Sequence, residues 1–178
     1  MSLAQSLRNK PLLAAAAIIA FAGAAAISGA WLFQYGLGLA PCPLCLEQRW
    51  AYYVGVPIAA LVGIGVERNV NRRFLAVALA IVALLFLWNA GLGVYHAGVE
   101  WHWWAGPQDC VGGDFAAGSA GNLLQRMQTT RVVRCDEAAW RFLGLSLAGY
   151  NALISLALAF TAVCGILTAL RRPTAQPT

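Results

Sequence analysis

The chain has 178 residues, enough for one ordinary domain, and its composition excludes a water-soluble one. Sixty per cent of the residues are hydrophobic and 11% are charged, whereas an average soluble domain has about 25% charged residues. A disordered chain, a secreted disulfide miniprotein and a soluble enzyme are therefore excluded. The net charge of +5 could suggest nucleic acid as a partner, but basic loops on a membrane protein explain the charge better.

Charged residues are absent from four long blocks, which are Pro11–Leu46, Trp50–Val66, Phe74–Val99 and Phe142–Leu170. A helix needs roughly 20 apolar residues to cross a bilayer core of about 30 Å, so each block can hold one span. We predict an all-α membrane protein, with one domain over residues 1–178 and a bundle of four transmembrane helices. The spans are expected at about 12–33, 48–66, 74–95 and 146–169, which leaves 34–47 and 96–145 as the two longer loops.

Basic residues predict the orientation of these spans. Segments 1–10, 67–73 and 171–178 carry seven basic residues and one acid, whereas the two longer loops carry four basic residues and six acids. The positive-inside rule puts the first set, and hence both termini, in the cytoplasm. A cleaved signal peptide is the alternative reading of the N-terminus, but the uncharged run is far longer than the 7–15 residues that such a peptide needs.

Four of the five cysteines fall in the two loops on the outward side, which points to disulfide chemistry. Cys42 and Cys45 form a Cys-Pro-Leu-Cys motif, and a helix is expected to begin near Leu44 or Cys45. The positive end of that helix would favour a thiolate, and Arg49 would lie one turn further on the same face. This pattern favours a reactive pair over a passive bridge, because so small a ring constrains little unfolded chain.

Other cysteines and histidines leave alternatives open. Cys110 and Cys135 predict a second disulfide, either exchangeable or purely structural. Arg131 and Arg134 could stabilise a Cys135 thiolate once it is released, or could simply be solvated. His96 follows the third span and could bind a polar head group or donate a proton, or have no chemical role. His96 and His102 could also join the cysteines in a zinc site, although Cys110 and Cys135 do not form a second pair of the usual spacing. The remaining residues of note are assigned to ordinary packing or interfacial positions: Glu47, Asn89, His102 and, as a buried hydrophobe, Cys164.

These features together resemble the bacterial disulfide bond formation protein B (DsbB) family over nearly the whole chain. The resemblance is most specific in Pro41–Cys45 with Gln48-Arg49, in Tyr95-His96, and in Cys135 followed by Trp140–Ser146. It implies a location in the bacterial inner membrane, with the two longer loops in the periplasm. Proline after Cys42 departs from many members of the family and leaves the redox poise of the motif open.

The resemblance also implies an activity and roles for the cysteines. A thioredoxin-fold dithiol oxidase of the DsbA type would attack Cys110, the released Cys135 would attack Cys42, and Cys45 would face a membrane quinone, either ubiquinone or menaquinone. Redox-active disulfides Cys42–Cys45 and Cys110–Cys135 are thereby expected. Arg49 would stabilise the Cys45 thiolate and the quinone oxygen, and His96 would line the same pocket. No metal is expected in this scheme.

Two other functions remain open at the level of sequence. A protein similar to vitamin K epoxide reductase also combines four helices, CxxC and quinone, but its CxxC usually lies near the end of the last core span. A non-catalytic tetraspanning interaction protein would use its disulfides only to hold its outer loops. A purely structural disulfide would gain nothing from a positive charge beside Cys45, so Arg49 argues against the interaction protein.

Overall fold

Four long helices make up most of the computed structural model, which describes residues 10–107 and 134–171. They are α1 (Pro11–Trp31, continued by a π-helical turn over Leu32–Gly36), α2 (Pro43–Glu67), α3 (Arg72–Glu100) and α4 (Leu147–Arg171). All four are long and apolar enough to cross a membrane. The predicted all-α membrane protein with four spans is confirmed.

Two helices extend beyond their predicted bounds on the side of the cysteines. α2 begins at Pro43, close to the helix start predicted near Leu44 or Cys45 and before the predicted start of the span at 48. Cys42 caps the helix and Pro43 occupies its first turn, where a missing N–H costs nothing. α3 runs to Glu100 rather than stopping at 95, because its backbone hydrogen bonds continue to Trp101 and no proline interrupts them. The extension places His96 and Glu100 on one face of α3, one turn apart.

A short β-hairpin, absent from the sequence-based expectation, precedes α4. Strand β1 (Arg141–Phe142) pairs antiparallel with β2 (Leu145–Ser146). Leu143 and Gly144 between them both have positive φ, of 48° and 81°, as the tight primed turn of a two-residue hairpin requires. Strands of two residues are too short to leave a periodic pattern, so the sequence did not predict them.

Each helix packs against its neighbours in a closed ring, because α1 contacts α2 and α4, and α3 also contacts α2 and α4. Small residues allow the close approach: a Cβ atom at Gly93 of α3 would lie 2.9 Å from the backbone nitrogen of Ala152 of α4. Cys164 does not pack inside the ring. Its side chain is exposed on the outer surface of α4, so the expectation of a buried Cys164 is wrong.

The two ends of the bundle differ in their chemistry. At one end, Lys10 pairs with Glu67 at 2.9 Å, and the Arg72 guanidinium donates to the carbonyl oxygen of Ala169. This is the end that carries the basic residues of the short connections. At the opposite end, α1 finishes, α2 begins, α3 finishes and the hairpin leads into α4. The cysteine motif and His96 therefore meet at that opposite end.

Candidate functional site

Cys42 and Cys45 occupy the first turn of α2. Cys42 is the N-cap, with extended backbone angles, and its Sγ accepts a hydrogen bond from the backbone N–H of Cys45 at 3.2 Å. Cys45 is the third residue of the helix, so the predicted position of a cysteine in the first turn is confirmed. Both residues are free thiols in this structure, and the disulfide between them stays a prediction.

The two thiols are not equivalent. Cys42 is buried, whereas Cys45 is half-buried. The pKa of the Cys42 thiol is raised above its ordinary value, first by its hydrogen bond with the Cys45 side chain and then by burial, which disfavours the charged thiolate. In the reduced pair, Cys42 is therefore the sulfur that keeps its proton.

His96 comes from α3 and contacts Cys42. Its Nε2 lies 3.6 Å from the Cys42 Sγ, and its Nδ1 lies 2.8 Å from the Gln48 side-chain nitrogen. The ring is 2% exposed and also makes a hydrogen bond to the backbone of Cys135. The histidine is thus fixed on three sides, with one nitrogen toward a sulfur.

Cys135 completes a buried cluster with these two residues. The Cys42 Sγ, a His96 ring nitrogen and the Cys135 Sγ all lie within 4.8 Å of one another, and all three residues are buried. Cys135 is disulfide-bonded, and Cys110, its predicted partner, lies outside the described residues. Three such atoms could suggest a metal site, but a disulfide sulfur lacks the thiolate charge that metals bind. Thiol–disulfide exchange describes this arrangement better.

A cavity of about 460 Å³ opens beside Cys45. Its wall comes from α1, α2 and α4, from the connection between α1 and α2, and from the approach to the hairpin, and it is mostly apolar. The polar side chains in that wall include Gln34, Cys45, Gln48, Arg49, Tyr52, Tyr150 and Asn151. Cys45 and Arg49 are therefore brought to one cavity, as their spacing on α2 predicts.

Arg49 is held by Gln34, since its Nη1 donates to the Gln34 Oε1 across the gap between α2 and the end of α1. His96 does not line this cavity; it is linked to it through Gln48, which belongs to the wall and hydrogen-bonds the ring. The structure thus brings His96 to Cys42 rather than to the space beside Arg49. A direct contact between His96 and a quinone stays a prediction.

A polar network lies further along the bundle. The Tyr52 hydroxyl donates to the Asn151 Oδ1 at 2.7 Å, and Asn89 donates to the same oxygen at 3.2 Å and to the Ser155 Oγ at 2.9 Å. Asn89 therefore has the packing role predicted for it, through hydrogen bonds between α3 and α4. Asn151 joins this network to the cavity wall.

The Arg134 guanidinium pairs with carboxylates rather than with a cysteine sulfur. Its guanidinium forms two hydrogen bonds with Asp136, at 2.9 and 2.5 Å, and approaches Glu137 at 3.7 Å. The hydrogen bond from Arg134 lowers the pKa of the partly exposed Asp136. Support of a Cys135 thiolate by Arg134, one of the two roles that the sequence left open, would require this pair to separate.

Sequence reasoning missed three polar residues of this region. Gln34 is a single amide with no pattern to mark it. Gln48 is part of the motif that carries the family resemblance and follows Cys45 by three residues on one helix face, but no role was predicted for it. Glu100 was missed because the third span was expected to end at 95. A helix carried one turn further would have placed Glu100 beside His96.

Comparisons with known proteins agree with this arrangement. The family model for disulfide bond formation protein DsbB matches residues 12–165. Relatives named "Disulfide bond formation protein B" include one from Marinobacter nauticus, 28% identical over 80% of this chain and 83% of its own length. Another, from Aromatoleum aromaticum, is 32% identical over 74% of this chain and 78% of its own.

A third relative of that name, from Albidiferax ferrireducens, is 32% identical over 66% of each chain. No solved structure matches this chain significantly. The family model covers all four helices to within two turns of the end of α4, together with Cys42, Cys45, Cys110 and Cys135. This chain therefore belongs to the DsbB family of disulfide bond formation proteins.

Proposed function

We propose that this chain is a membrane dithiol:quinone oxidoreductase that re-oxidises a periplasmic thioredoxin-fold dithiol oxidase of the DsbA type. One observation carries the proposal. The Cys42 sulfur lies within 4.8 Å of the Cys135 sulfur, while Cys45, its partner in the motif, lines a 460 Å³ cavity together with Arg49. Two sulfur centres and a cavity therefore lie in series, which is the order that electron transfer from a dithiol to a small acceptor needs.

The exchange steps follow from this order. The thiolate of the partner attacks Cys110, which lies outside the described residues, and displaces Cys135. The Cys135 thiolate then attacks Cys42, a Cys42–Cys135 bond forms, the Cys42–Cys45 bond breaks, and the electron pair leaves on Cys45. Bonded sulfurs are about 2.05 Å apart, so the Cys42 and Cys135 sulfurs must approach from a separation within 4.8 Å.

The wall of the cavity fits a quinone head group. It is mostly apolar, and its volume of about 460 Å³ is within the range of about 300–1,000 Å³ typical of small-molecule sites. A quinone offers carbonyl oxygens as hydrogen-bond acceptors. Asn151 belongs to the wall, and its Nδ2 is a buried donor with no hydrogen-bond partner among the described residues. An unpaired buried donor matches a ligand that brings an acceptor.

When bound, a quinone would supply the two-electron acceptor chemistry. Cys45 would hold the electron pair at the wall of the cavity, and Arg49 would offset its negative charge from a position fixed by Gln34. Gln48 and Tyr52 would complete the polar part of the wall. The mostly apolar surroundings would limit the access of water to the Cys45 thiolate.

We also propose the orientation in the bacterial inner membrane. The end of the bundle with Lys10, Arg68, Arg72 and Arg171 would face the cytoplasm together with both termini, in accordance with the positive-inside rule. The cysteine cluster would then face the periplasm, where disulfides persist. A reporter fused to the C-terminus that is active only in the cytoplasm would test this orientation.

The function is tested with purified protein in detergent, a reduced thioredoxin-fold dithiol oxidase and a short-chain ubiquinone. Loss of quinone absorbance measures turnover for the wild type, for Cys45→Ser and for Cys164→Ser. Cys164→Ser is the matched control, because Cys164 is exposed on α4, outside the cysteine cluster. We expect turnover in the wild type and in Cys164→Ser, and its complete loss in Cys45→Ser.

Other outcomes would revise the proposal. Quinone-dependent oxidation of a small dithiol but not of the protein partner would leave the chemistry in place and change the partner. No oxidation of any dithiol with ubiquinone or menaquinone would contradict the enzyme and favour a tetraspanning interaction protein with structural disulfides.

A further inference from the structure

Glu100 carries a buried carboxylate next to the cysteine cluster. It ends α3, one turn after His96, and is 6% exposed. Its Oε1 lies 3.8 Å from the Nε2 of His96, the same nitrogen that faces the Cys42 sulfur at 3.6 Å. The Oε2 is buried and has no hydrogen-bond partner among the described residues. None of the exchange steps described above uses this acid.

The surroundings of Glu100 only partly compensate for its burial. The Ser146 hydroxyl hydrogen-bonds the carboxylate, whereas the Arg141 guanidinium donates to the Glu100 backbone oxygen, at 3.4 Å, rather than to its side chain. Moving a carboxylate out of water is strongly unfavourable unless nearby charges and hydrogen bonds compensate for the lost hydration. A partly paired carboxylate facing a histidine is an arrangement typical of functional sites.

We infer that Glu100 is a positioning residue for the exchange between Cys135 and Cys42, in which it stabilises the positive charge that His96 acquires with a thiol proton. The inference rests on the proposed function and deepens it. Glu100 acts through the imidazole ring, which faces the carboxylate and the sulfur cluster at once. The charged or titratable groups that face the ring and the carboxylate are Cys42 and Cys45 of α2, Cys135, and Arg141 of β1.

The exchange between Cys135 and Cys42 moves one proton and one electron pair. Cys135 leaves its disulfide as a thiolate, and where it takes up a proton from water it becomes an unreactive thiol. Transfer of this proton to the His96 Nε2 restores the thiolate, the nucleophilic form of the sulfur. The thiolate attacks Cys42, the Cys42–Cys135 bond forms, and the Cys42–Cys45 bond breaks with the electron pair on Cys45. The proton stays on Nε2, opposite the Glu100 carboxylate.

This role requires the hydrogen of the neutral ring to lie on Nδ1, so that Nε2 has a free lone pair. Gln48 can meet that requirement, because a side-chain amide can present its oxygen as well as its nitrogen to Nδ1. The imidazolium would then be flanked by an amide oxygen at Nδ1 and a carboxylate at Nε2. Both neighbours favour the charged ring.

Single-turnover exchange without quinone tests the inference. Oxidised protein is mixed with dithiothreitol, and loss of the Cys42–Cys45 disulfide is followed by alkylation and peptide mass spectrometry between pH 3 and 9. The rate of Cys135→Ser is subtracted, so that only exchange through Cys135 is compared. We expect Glu100→Gln to slow this exchange about tenfold at neutral pH, since general-base assistance contributes factors of about 10² or more.

The pH profile distinguishes this role from a structural one. Without the carboxylate the imidazole is a weaker base, so the acid limb of the profile moves to lower pH in Glu100→Gln. Glu100→Asp keeps the negative charge. Its exchange rate should be partly restored, and the acid limb of its pH profile should lie where that of the wild type lies. Glu47→Gln, which changes an exposed acid on α2 near the same motif, should match the wild type throughout.

Two results would overturn the inference, both with an unchanged pH profile in Glu100→Gln. One is an exchange rate within twofold of the wild type. The other is a loss of exchange rate that is fully accounted for by the unfolded fraction of the variant. The result is independent of the quinone reaction. If the wild type reduces no quinone but exchanges with dithiothreitol, and Glu100→Gln is slowed with a shifted profile, the proposed function fails and the role of Glu100 stands. If quinone turnover is intact and Glu100→Gln equals the wild type, only the role of Glu100 fails.

Discussion

The Cys42 sulfur lies 3.6 Å from the Nε2 of His96, although 54 positions separate the two residues in the sequence. The contact joins the cap of α2 to the last turns of α3, and Gln48 braces the ring from its other nitrogen. A cysteine that caps a helix is thereby enclosed by a neighbouring helix. The cysteine motif consequently has one buried sulfur toward Cys135 and one half-buried sulfur toward the cavity.

Arg49→Gln should weaken the binding of quinone without slowing exchange with a dithiol. Arg49 lines the cavity beside Cys45, and hydrogen bonds from a charged group contribute about 1.5–3 kcal/mol. We expect the KM for a short-chain ubiquinone to rise about tenfold or more, since about 1.4 kcal/mol corresponds to a factor of ten. Steady-state kinetics at fixed dithiol concentration measure this effect.

Arg68→Gln is the matched control for that measurement, because Arg68 is exposed at the opposite end of α2. Its KM should equal that of the wild type. An unchanged KM in Arg49→Gln would mean that Arg49 does not contribute to quinone binding. Its role would then be structural, through its hydrogen bond with Gln34.

The reduced protein should lose stability in alkaline solution through Cys42. Because folding raises the pKa of this thiol, the folded state holds the proton more tightly than the unfolded chain does. The stabilisation is fully present below the ordinary thiol pKa of 9.0 and decreases as the pH rises above it. Thermal unfolding of the reduced protein between pH 7 and 10 should show a falling midpoint above about pH 9.

Cys42→Ser provides the comparison for the alkaline measurement. A serine hydroxyl can still accept the capping hydrogen bond from the N–H of residue 45, but it does not titrate in this range. The midpoint of Cys42→Ser should fall less steeply above pH 9 than that of the wild type. Equal slopes in the two proteins would exclude Cys42 as the source of the pH dependence.

Gly93→Ala should loosen the contact between α3 and α4. The new Cβ would lie 2.9 Å from the backbone nitrogen of Ala152, and backbone atoms cannot move aside as a flexible side chain can. Overpacking of this kind costs about 1–3 kcal/mol. Thermal unfolding in detergent should therefore show a clear loss of stability.

Gly91→Ala is the control, because a Cβ at Gly91 would meet nothing within 4 Å. Alanine is the better helix former by about 1 kcal/mol, so this variant should equal or exceed the wild type in stability. The same loss in both variants would mean that the helix itself, rather than its contact with α4, tolerates no change there.

The pattern of charge and hydropathy alone determined the architecture. Four uncharged blocks predicted four helices, because backbone hydrogen bonds must be satisfied internally in a bilayer and length then decides how many spans fit. The bounds of α2 and α3 were less accurate at the cysteine end, since a span needs only about 20 residues and a helix can continue beyond it. Capping by Cys42 and the extension to Glu100 are local geometry, which hydropathy does not report.

For the site, the sequence determined which residues have the chemistry, and the tertiary structure decided which of them meet. The motif Cys42–Cys45 with Arg49 lies within two turns of one helix, so its spacing was sufficient to predict a shared face. The contacts of Cys42 with His96, of His96 with Glu100 and of Arg49 with Gln34 join different elements or depend on where α3 ends. Such contacts are determined by how the helices pack against one another, and a single sequence carries no local pattern that records this packing.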